Sequence, residues 1–524
     1  MYTDNRLEQD YAQQVSLEHR KKFAQFFTPW RIAELMASWL LEKKDFHTVL
    51  EPAFGLGVFT RALLSRKDNI RIKGFEVDDL IFEKAVHEFA RRENVSLLKQ
   101  DYLYNDWQNQ YDGIICNPPY FKFHDYDNKN ALQEIESNLK CKLNGFTNLY
   151  TLFLLKSIQQ LKPGGRCAYI IPSEFLNSDY GKQVKAHLLK TGTLRHIIVI
   201  DFEENIFHDA LTTASIILCA NDKMMDSVRF TYVRSLHELN SVGKMLSGDP
   251  NADSAATAYC FSELNPDVKW KAYYQPQNGN KFKNLVPFST FAKVVRGIAT
   301  GANHYFTFNL SKARQHSIDE RYLLPCVCKA VDVKGHFFAP SDFEKLKHDG
   351  KNIFLLNVRD DTDPHVMKYL QKGEGEQVDK KYLTASRNPW YALENRPPSP
   401  IWVSVFNRTG LRFVRNTANV SNLTTFHCVY PKKQFFSEVS TDLLFAYLLT
   451  DTAREIFDDN SREYGNGLQK FEPNDLNKGQ MLDLSVLSHS GKTRISELYH
   501  QYAKDTDKRL IGEMDEVFKT EYTA

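Results

Sequence analysis

A chain of 524 residues, 42% hydrophobic and 25% charged, has the composition of soluble globular protein and room for two to four domains. A formal net charge of +2 excludes a role resting on bulk electrostatics, so contact with nucleic acid requires Lys and Arg gathered locally while acids occupy outer faces. No stretch approaches a membrane span, Met1-Tyr-Thr-Asp-Asn-Arg6 is not a signal peptide, and eight scattered cysteines with one close pair, Cys326 and Cys328, indicate neither disulfides nor zinc; a cytoplasmic protein with no metal centre and no membrane partner is expected.

Residues 1 to about 45 read as helical, with Ile32, Leu35, Met36, Trp39 and Leu40 at the spacing of a core-facing stripe. Next, Val49-Leu-Glu-Pro-Ala-Phe-Gly55-Leu-Gly57 is a short apolar strand entering a glycine turn, and a helical pattern follows from Phe59 to Leu64. Glycines there let a ligand approach the backbone closely. The strand from Ile70 ends at Glu76, 19 positions after Gly57, where a carboxylate can take both hydroxyls of a ribose. That spacing fits NAD equally well. Two details favour a sulfonium nucleoside: Thr60 stands where the third dinucleotide glycine would be, and Glu51 places an anion where a cationic donor wants one. A third strand, Val95 to Gln100, ends at Asp101, which can accept from the exocyclic amine of a cofactor adenine. Amphipathic helices, Asp79 to Arg91 and Leu149 to Leu161, alternate with these strands, as in a doubly wound sheet of mostly parallel strands.

The strand Tyr111 to Cys116 delivers Asn117-Pro118-Pro119-Tyr120. An aromatic amine such as N6 of adenine is a poor nucleophile because its lone pair is delocalised, so a catalyst gains by accepting hydrogen bonds from both N–H groups. The Asn117 oxygen can accept one and the Pro118 carbonyl the other, its direction fixed by the following proline. Tyr120 supplies a flat face, and stacking a base on it is worth about 1 to 3 kcal/mol, comparable with the few kcal/mol needed to extract that base from duplex. The polar stretch from Phe121 to Thr147, with Lys122 and His124, is expected to form part of a mobile flap over the target base. After the turn Lys162-Pro-Gly-Gly165, strands at 166–171 and 194–201 are expected to close the sheet. Residues 226–284 read as a linker, around the solvated run Gly248 to Ala256. A less regular region follows, with Arg396, Arg408, Arg412 and Arg415 as candidates for reading base edges or holding phosphates. The last fifty or so residues read as a helical tail packing back on the body.

The order Gln25-Phe-Phe-Thr-Pro29, Glu51 to Gly57, Glu76, Asp101, Asn117-Pro-Pro-Tyr120 and Lys162-Pro-Gly-Gly165 resembles the γ-class N6-adenine DNA methyltransferases of type II restriction-modification systems. The resemblance is strong over roughly residues 20 to 220 and looser from about 285 to 475, where Val294 to Phe306 and Arg462 to Pro473 look like the opening and closing stretches of a target-recognition half. It implies a Rossmann-like α/β catalytic domain with an N-terminal helical cap (1–225), a mixed α+β target-recognition domain (285–475) and a helical tail (476–524). It implies S-adenosylmethionine as cofactor, with Phe27, Thr28 and Pro29 capping its methionine end. Glu51, Ala53, Gly55 and Gly57 would line the sulfonium side, Glu76 would take the ribose, and Asp101 the adenine, whose faces meet Phe75, Val77 and Tyr102. Asn117, Pro118, Pro119 and Tyr120 would act on the flipped base, with Phe207 packing on its opposite face. Lys122, Arg296, Asn303, Arg396, Arg408, Arg412 and Arg415 would contact double-stranded DNA. A separate cognate restriction endonuclease acting on the same site is the implied partner. Glutamine N5 methylation of a protein and N4 methylation of cytosine remain as alternatives, because each presents the same chemical problem to an Asn-Pro-Pro-Tyr loop.

Overall fold

Val49 and Leu50 are neighbours in one strand, yet they join different hydrophobic cores, and so do Ile114 and Ile115. Side chains alternate across a strand, so a strand apolar on both faces must lie in the middle layer of three. The computed structural model, which describes residues 4–42, 46–120, 129–140, 142, 148–201, 213–224, 227–246, 256–359, 363–407, 410–432, 439–464 and 468–523, has this arrangement. The chain divides into two compact units, Met1–Pro276 with Glu463–Gly467, and Gln277–Arg462 with Leu468–Ala524. Among the described residues no helix is long and apolar enough to cross a membrane.

The first unit is built on strands β1 (Thr48–Glu51), β2 (Arg71–Glu76), β3 (Val95–Lys99), β4 (Tyr111–Cys116), β5 (Leu161–Pro172), β6 (Leu194–Ile200), β7 (Ala214–Ala220), β8 (Ser227–Val233) and β9 (Thr257–Cys260). Their order is β3-β2-β1-β4-β5-β7-β6-β8-β9. The strands from β3 to β5 pair in parallel, and the order reverses direction at β1, so the crevice beyond the ends of β1 and β4 is a topological switch point. Helices α1 (Arg6–Gln14), α2 (Leu17–Lys22), α3 (Trp30–Leu41), α4 (Val58–Leu64), α5 (Asp79–Phe89), α6 (Lys129–Leu139), α7 (Leu149–Gln159), α8 (Glu174–Asn177), α9 (Gly181–Thr191) and α10 (Leu236–Leu246) accompany the sheet. The core holding residues of α3, α4, α5 and α10 lies on one face, and that holding residues of α6, α7 and α9 on the other.

Four expectations change here. The strands at 166–171 and 194–201 do not close the sheet side by side. Strand β7 runs between β5 and β6, antiparallel to both, and is buried along its whole length, so the backbone groups of both its edges need ladder partners. Residues 226–284 are not a linker: β8 pairs in parallel with β6, burying Val228, Phe230 and Val233, and the fully buried Trp270 donates its backbone N–H to the Leu176 carbonyl at 3.0 Å. The solvated run at 247–255 within them lies outside the described residues. Helix α7 is not amphipathic, being buried from Leu149 to Ile158, and the Lys162-Pro-Gly-Gly165 turn is absorbed into the long strand β5.

The second unit carries a five-stranded sheet, ordered Ala292–Arg296, Phe426–Pro431, Ile401–Ser404, Phe413–Asn416, Phe337–Phe338, and a four-stranded one around Leu323–Val327 and Phe354–Leu356. Ile401 and Val403 face one core while Trp402 faces the other. The C-terminal helices His489–Asp505 and Lys508–Tyr522 bury Leu498, Tyr499, Tyr502, Met514 and Phe518 in the same core as Leu444 and Phe457.

Candidate active site

At the switch point each strand hands a polar group to one cavity of about 350 Å³, bordered by Glu51, Glu76, Asp101 and Asn117. Phe27, Thr28, Ala53, Gly55, Val77, Tyr102 and Pro119 also line it. Pro29, Gly57, Pro118 and Tyr120 are not among the residues that line it.

Glu51 is fully buried. Its Oε2 accepts from the Thr60 backbone N–H (3.1 Å) and hydroxyl (2.6 Å), so the first turn of α4 holds one carboxylate oxygen. Oε1 has no hydrogen-bond partner among the described residues. Burial pushes the carboxyl up to about 8 against the opposing pull of the Thr60 bonds. A buried acceptor with a vacant lone pair at a cavity wall suits a cationic ligand group.

Glu76 accepts from three backbone N–H groups: Gly55 to Oε2 (2.9 Å), and Val77 (2.8 Å) and Asp78 (3.0 Å) to Oε1. The carboxylate is locked where β2 ends, and burial still raises its pKa over the lowering effect of those bonds. Gly55 has φ +54°, and a methyl group on it would meet nothing closer than Ile81 Cδ1 at 3.9 Å, since it would project into the cavity. Gly57 differs. Its φ is +72°, and a methyl there would fall 2.6 Å from the Phe89 ring and 2.7 Å from that of Phe54, so this glycine serves packing and the left-handed entry to α4. Asp101 accepts from the Leu103 N–H (2.8 Å) and burial raises its pKa. Tyr102 is buried, its hydroxyl donating to Gln160 Oε1 (2.6 Å).

The Asn117 amide is held on both sides. Its Nδ2 donates to the Phe26 carbonyl (2.8 Å) and to Thr28 Oγ1 (3.0 Å), and its Oδ1 accepts from the Tyr120 hydroxyl (2.6 Å). The Tyr120 ring lies along Phe26 at 5.8 Å between centroids, 15° from parallel, with Tyr150 edge-on at 6.0 Å. Sequence reasoning did not find Phe26 as a partner of this loop, nor Glu8 as part of the cavity wall. The N-terminal segment is anchored by Asp78, whose Oδ2 accepts from Gln25 Nε2 (2.6 Å) and Tyr11 O–H (3.4 Å), and by buried Arg61, which pairs with Glu8 and donates to the Asp4 carbonyl (2.9 Å).

Phe207, Lys122 and Arg408 lie outside the described residues, as does most of the expected flap. In the second unit, Arg296 is 57% exposed and pairs with Glu472 (3.0 Å), and Asn303 accepts from the Thr300 hydroxyl (2.5 Å). Arg396 bonds the Arg296 carbonyl and pairs with Glu394. Arg412 donates to the Val333 carbonyl (2.9 Å) and Arg415 to the Pro400 carbonyl (3.0 Å) and Asp442 (3.3 Å), so these two forks brace the fold.

A family model described as Eco57I restriction-modification methylase matches residues 32–207, and one described as the C-terminal domain of type II methyltransferase M.Eco57I matches residues 276–517. Type II methyltransferase M.AccI of Acinetobacter calcoaceticus is 64% identical over 526 residues, spanning 99% of this chain and 97% of its own length. Type II methyltransferase M.XamI of Xanthomonas campestris pv. amaranthicola is 22% identical, spanning 88% of this chain and 85% of its own. The fold is similar to that of LlaGI, a type ISP restriction-modification enzyme solved as a nuclease-deletion mutant with a DNA substrate mimic. The TM-score is 0.55 and the identity 12%, over 95% of this chain and 56% of that longer one. The cavity, its strand-end acids and these relatives converge, and the chain belongs to the type II methyltransferases, the DNA-methylating enzymes of restriction-modification systems.

Proposed function

We propose that this protein methylates N6 of an adenine flipped out of duplex DNA, using S-adenosylmethionine, and that Asn117 orients the amine. The observation that carries the reading is the convergence of Glu51, Glu76, Asp101 and Asn117 on one cavity at successive strand ends. Glu51, with its vacant buried oxygen, would face the cationic end of the cofactor, Glu76 the ribose hydroxyls and Asp101 the adenine amine; Phe75, Val77 and Tyr102 would flank the ring. When bound, S-adenosylmethionine supplies an electrophilic methyl group on sulfur.

Asn117 contributes a hydrogen-bond acceptor, and an amide has no useful basicity, so it aligns the amine without removing a proton beforehand. With the methyl's bond to sulfur broken and the sulfur released as a neutral thioether, the target nitrogen would carry the positive charge and would then lose its proton to solvent. Catalysis is therefore alignment and electrostatics. Tyr120 offers the aromatic face on which the extracted base stacks. Arg296, Asn303 and Arg396 are the proposed DNA contacts of the second unit, and a separate endonuclease cutting at the same site is the proposed partner.

Two measurements test this reading. Asn117→Ala is expected to lower methyl transfer by about 100-fold or more with DNA affinity retained; full activity in that variant refutes the assignment. Digestion of methylated DNA to nucleosides is expected to yield N6-methyladenine, and N4-methylcytosine in its place would overturn the choice of base.

A further inference from the structure

An asparagine side chain is nearly symmetric in shape, and rotation of its terminal torsion by 180° exchanges oxygen and NH₂ at little steric cost. For an Asn that must show an acceptor to an amine, that rotation is a failure: the NH₂ would then confront another N–H donor. Something must set the polarity of the group.

Resting on the reading that Asn117 orients the target amine, we propose that Thr28 is a positioning residue for Asn117, and that its hydroxyl acts with the Phe26 carbonyl to fix the amide with its oxygen available to the base. Both N–H bonds of Nδ2 are taken, one by the Phe26 carbonyl at 2.8 Å and one by Thr28 Oγ1 at 3.0 Å. A carbonyl can only accept, so a rotated Asn117 would set oxygen against oxygen there; Phe26 fixes the polarity. Thr28 fixes the plane, because the second N–H points at its hydroxyl. Thr28 is 2% exposed, so water does not replace the acceptor if the hydroxyl is removed. Oδ1 accepts from the Tyr120 hydroxyl at 2.6 Å and keeps a second lone pair for the amine.

Thr28 is itself held. Asn5 Nδ2 donates to the Thr28 carbonyl at 2.9 Å, and Asn5 Oδ1 accepts from the Trp30 N–H at 2.6 Å, so the backbone on both sides of Pro29 is clamped by one side chain. The consequence is chemical selectivity. An acceptor fixed at this position favours exocyclic amines and disfavours the carbonyl oxygens of thymine and guanine.

The test compares Thr28→Val, which keeps the shape and removes the acceptor, with Thr28→Ser, which keeps the acceptor, and with Asn117→Ala, in single-turnover methyl transfer at saturating DNA and cofactor. Thr28→Val is expected to slow the transfer step about tenfold at saturating cofactor, with the melting temperature held, and Thr28→Ser to restore most of the rate. A wild-type rate in Thr28→Val, an equal loss in Thr28→Ser, or a loss accounted for by a lowered melting temperature overturns the proposal. Activity retained in Asn117→Ala instead removes the parent reading of Asn117.

Discussion

Glu51 shows how a single side chain can couple ligand binding to proton release. Its ordinary pKa of 4.5 is raised to about 8 by burial. The folded protein therefore holds this proton over a range in which the unfolded chain has lost it, and the stabilisation is complete below the ordinary value and lost as pH rises through about 8. In cofactor-free protein, Glu51→Gln should flatten the fall in stability between those limits, measured by denaturant unfolding at several pH values. A cationic ligand facing the carboxylate requires the ionised form, so cofactor affinity should rise with pH by up to about tenfold per unit and level off above 8. Calorimetry in buffers of different ionisation enthalpy should detect about one proton released per ligand bound at pH 7. A flat affinity profile would show that the vacant oxygen does not face the cationic group.

At the scale of the element, the turn between β1 and α4 divides its two glycines between different tasks. Gly57→Ala combines a left-handed backbone with a clash against the Phe54 and Phe89 rings, so a loss of about 2 to 4 kcal/mol in unfolding free energy is expected. Gly55→Ala meets open space, so a loss of only about 1 kcal/mol is expected, from backbone strain, with weakened cofactor binding because the methyl occupies the cavity. Thermal melts and cofactor titrations of the two variants separate these outcomes. Both glycines were legible in the sequence, but their division of labour was not, since it depends on Phe89, 32 positions beyond Gly57. The same limit applies elsewhere. Strand-end acids are readable because a strand and its terminal residue are adjacent in the chain, whereas the two acceptors of the Asn117 Nδ2 sit 91 and 89 residues away. The direction of β7 is hidden because a short, mostly apolar run such as Ala214–Ala220 does not encode which way it enters a sheet. Strand β8 is hard to read because Ser227–Val233 is a short run in a region whose composition turns polar from Gly248 to Ala256.

Across the whole molecule a net charge of +2 leaves DNA affinity to particular side chains, and those of the second unit differ in how far they are committed to the fold. Arg296→Ala should reduce the slope of log affinity against log salt by about 0.9 for one phosphate contact, with little change in melting temperature. Arg412→Ala should act in the opposite sense, costing about 2 kcal/mol of stability through the stranded carbonyls and leaving the salt slope unchanged. If Arg412→Ala alone altered the salt slope, the division between bracing and binding arginines would be reversed. Arginine counts in the sequence pointed to a basic region, but the carbonyls of Val333 and Pro400 that engage Arg412 and Arg415 are invisible without the fold.

One wall of the cavity is made from a segment that precedes β1, while the loop it must grip is translated much later. Phe26 waits through 91 residues before its carbonyl meets Asn117, a closure whose entropic cost is roughly 4 kcal/mol. On the ribosome, Phe26 and Thr28 therefore emerge long before the amide they hold, and a nascent chain halted before β4 carries the three strand-end acids but not Asn117.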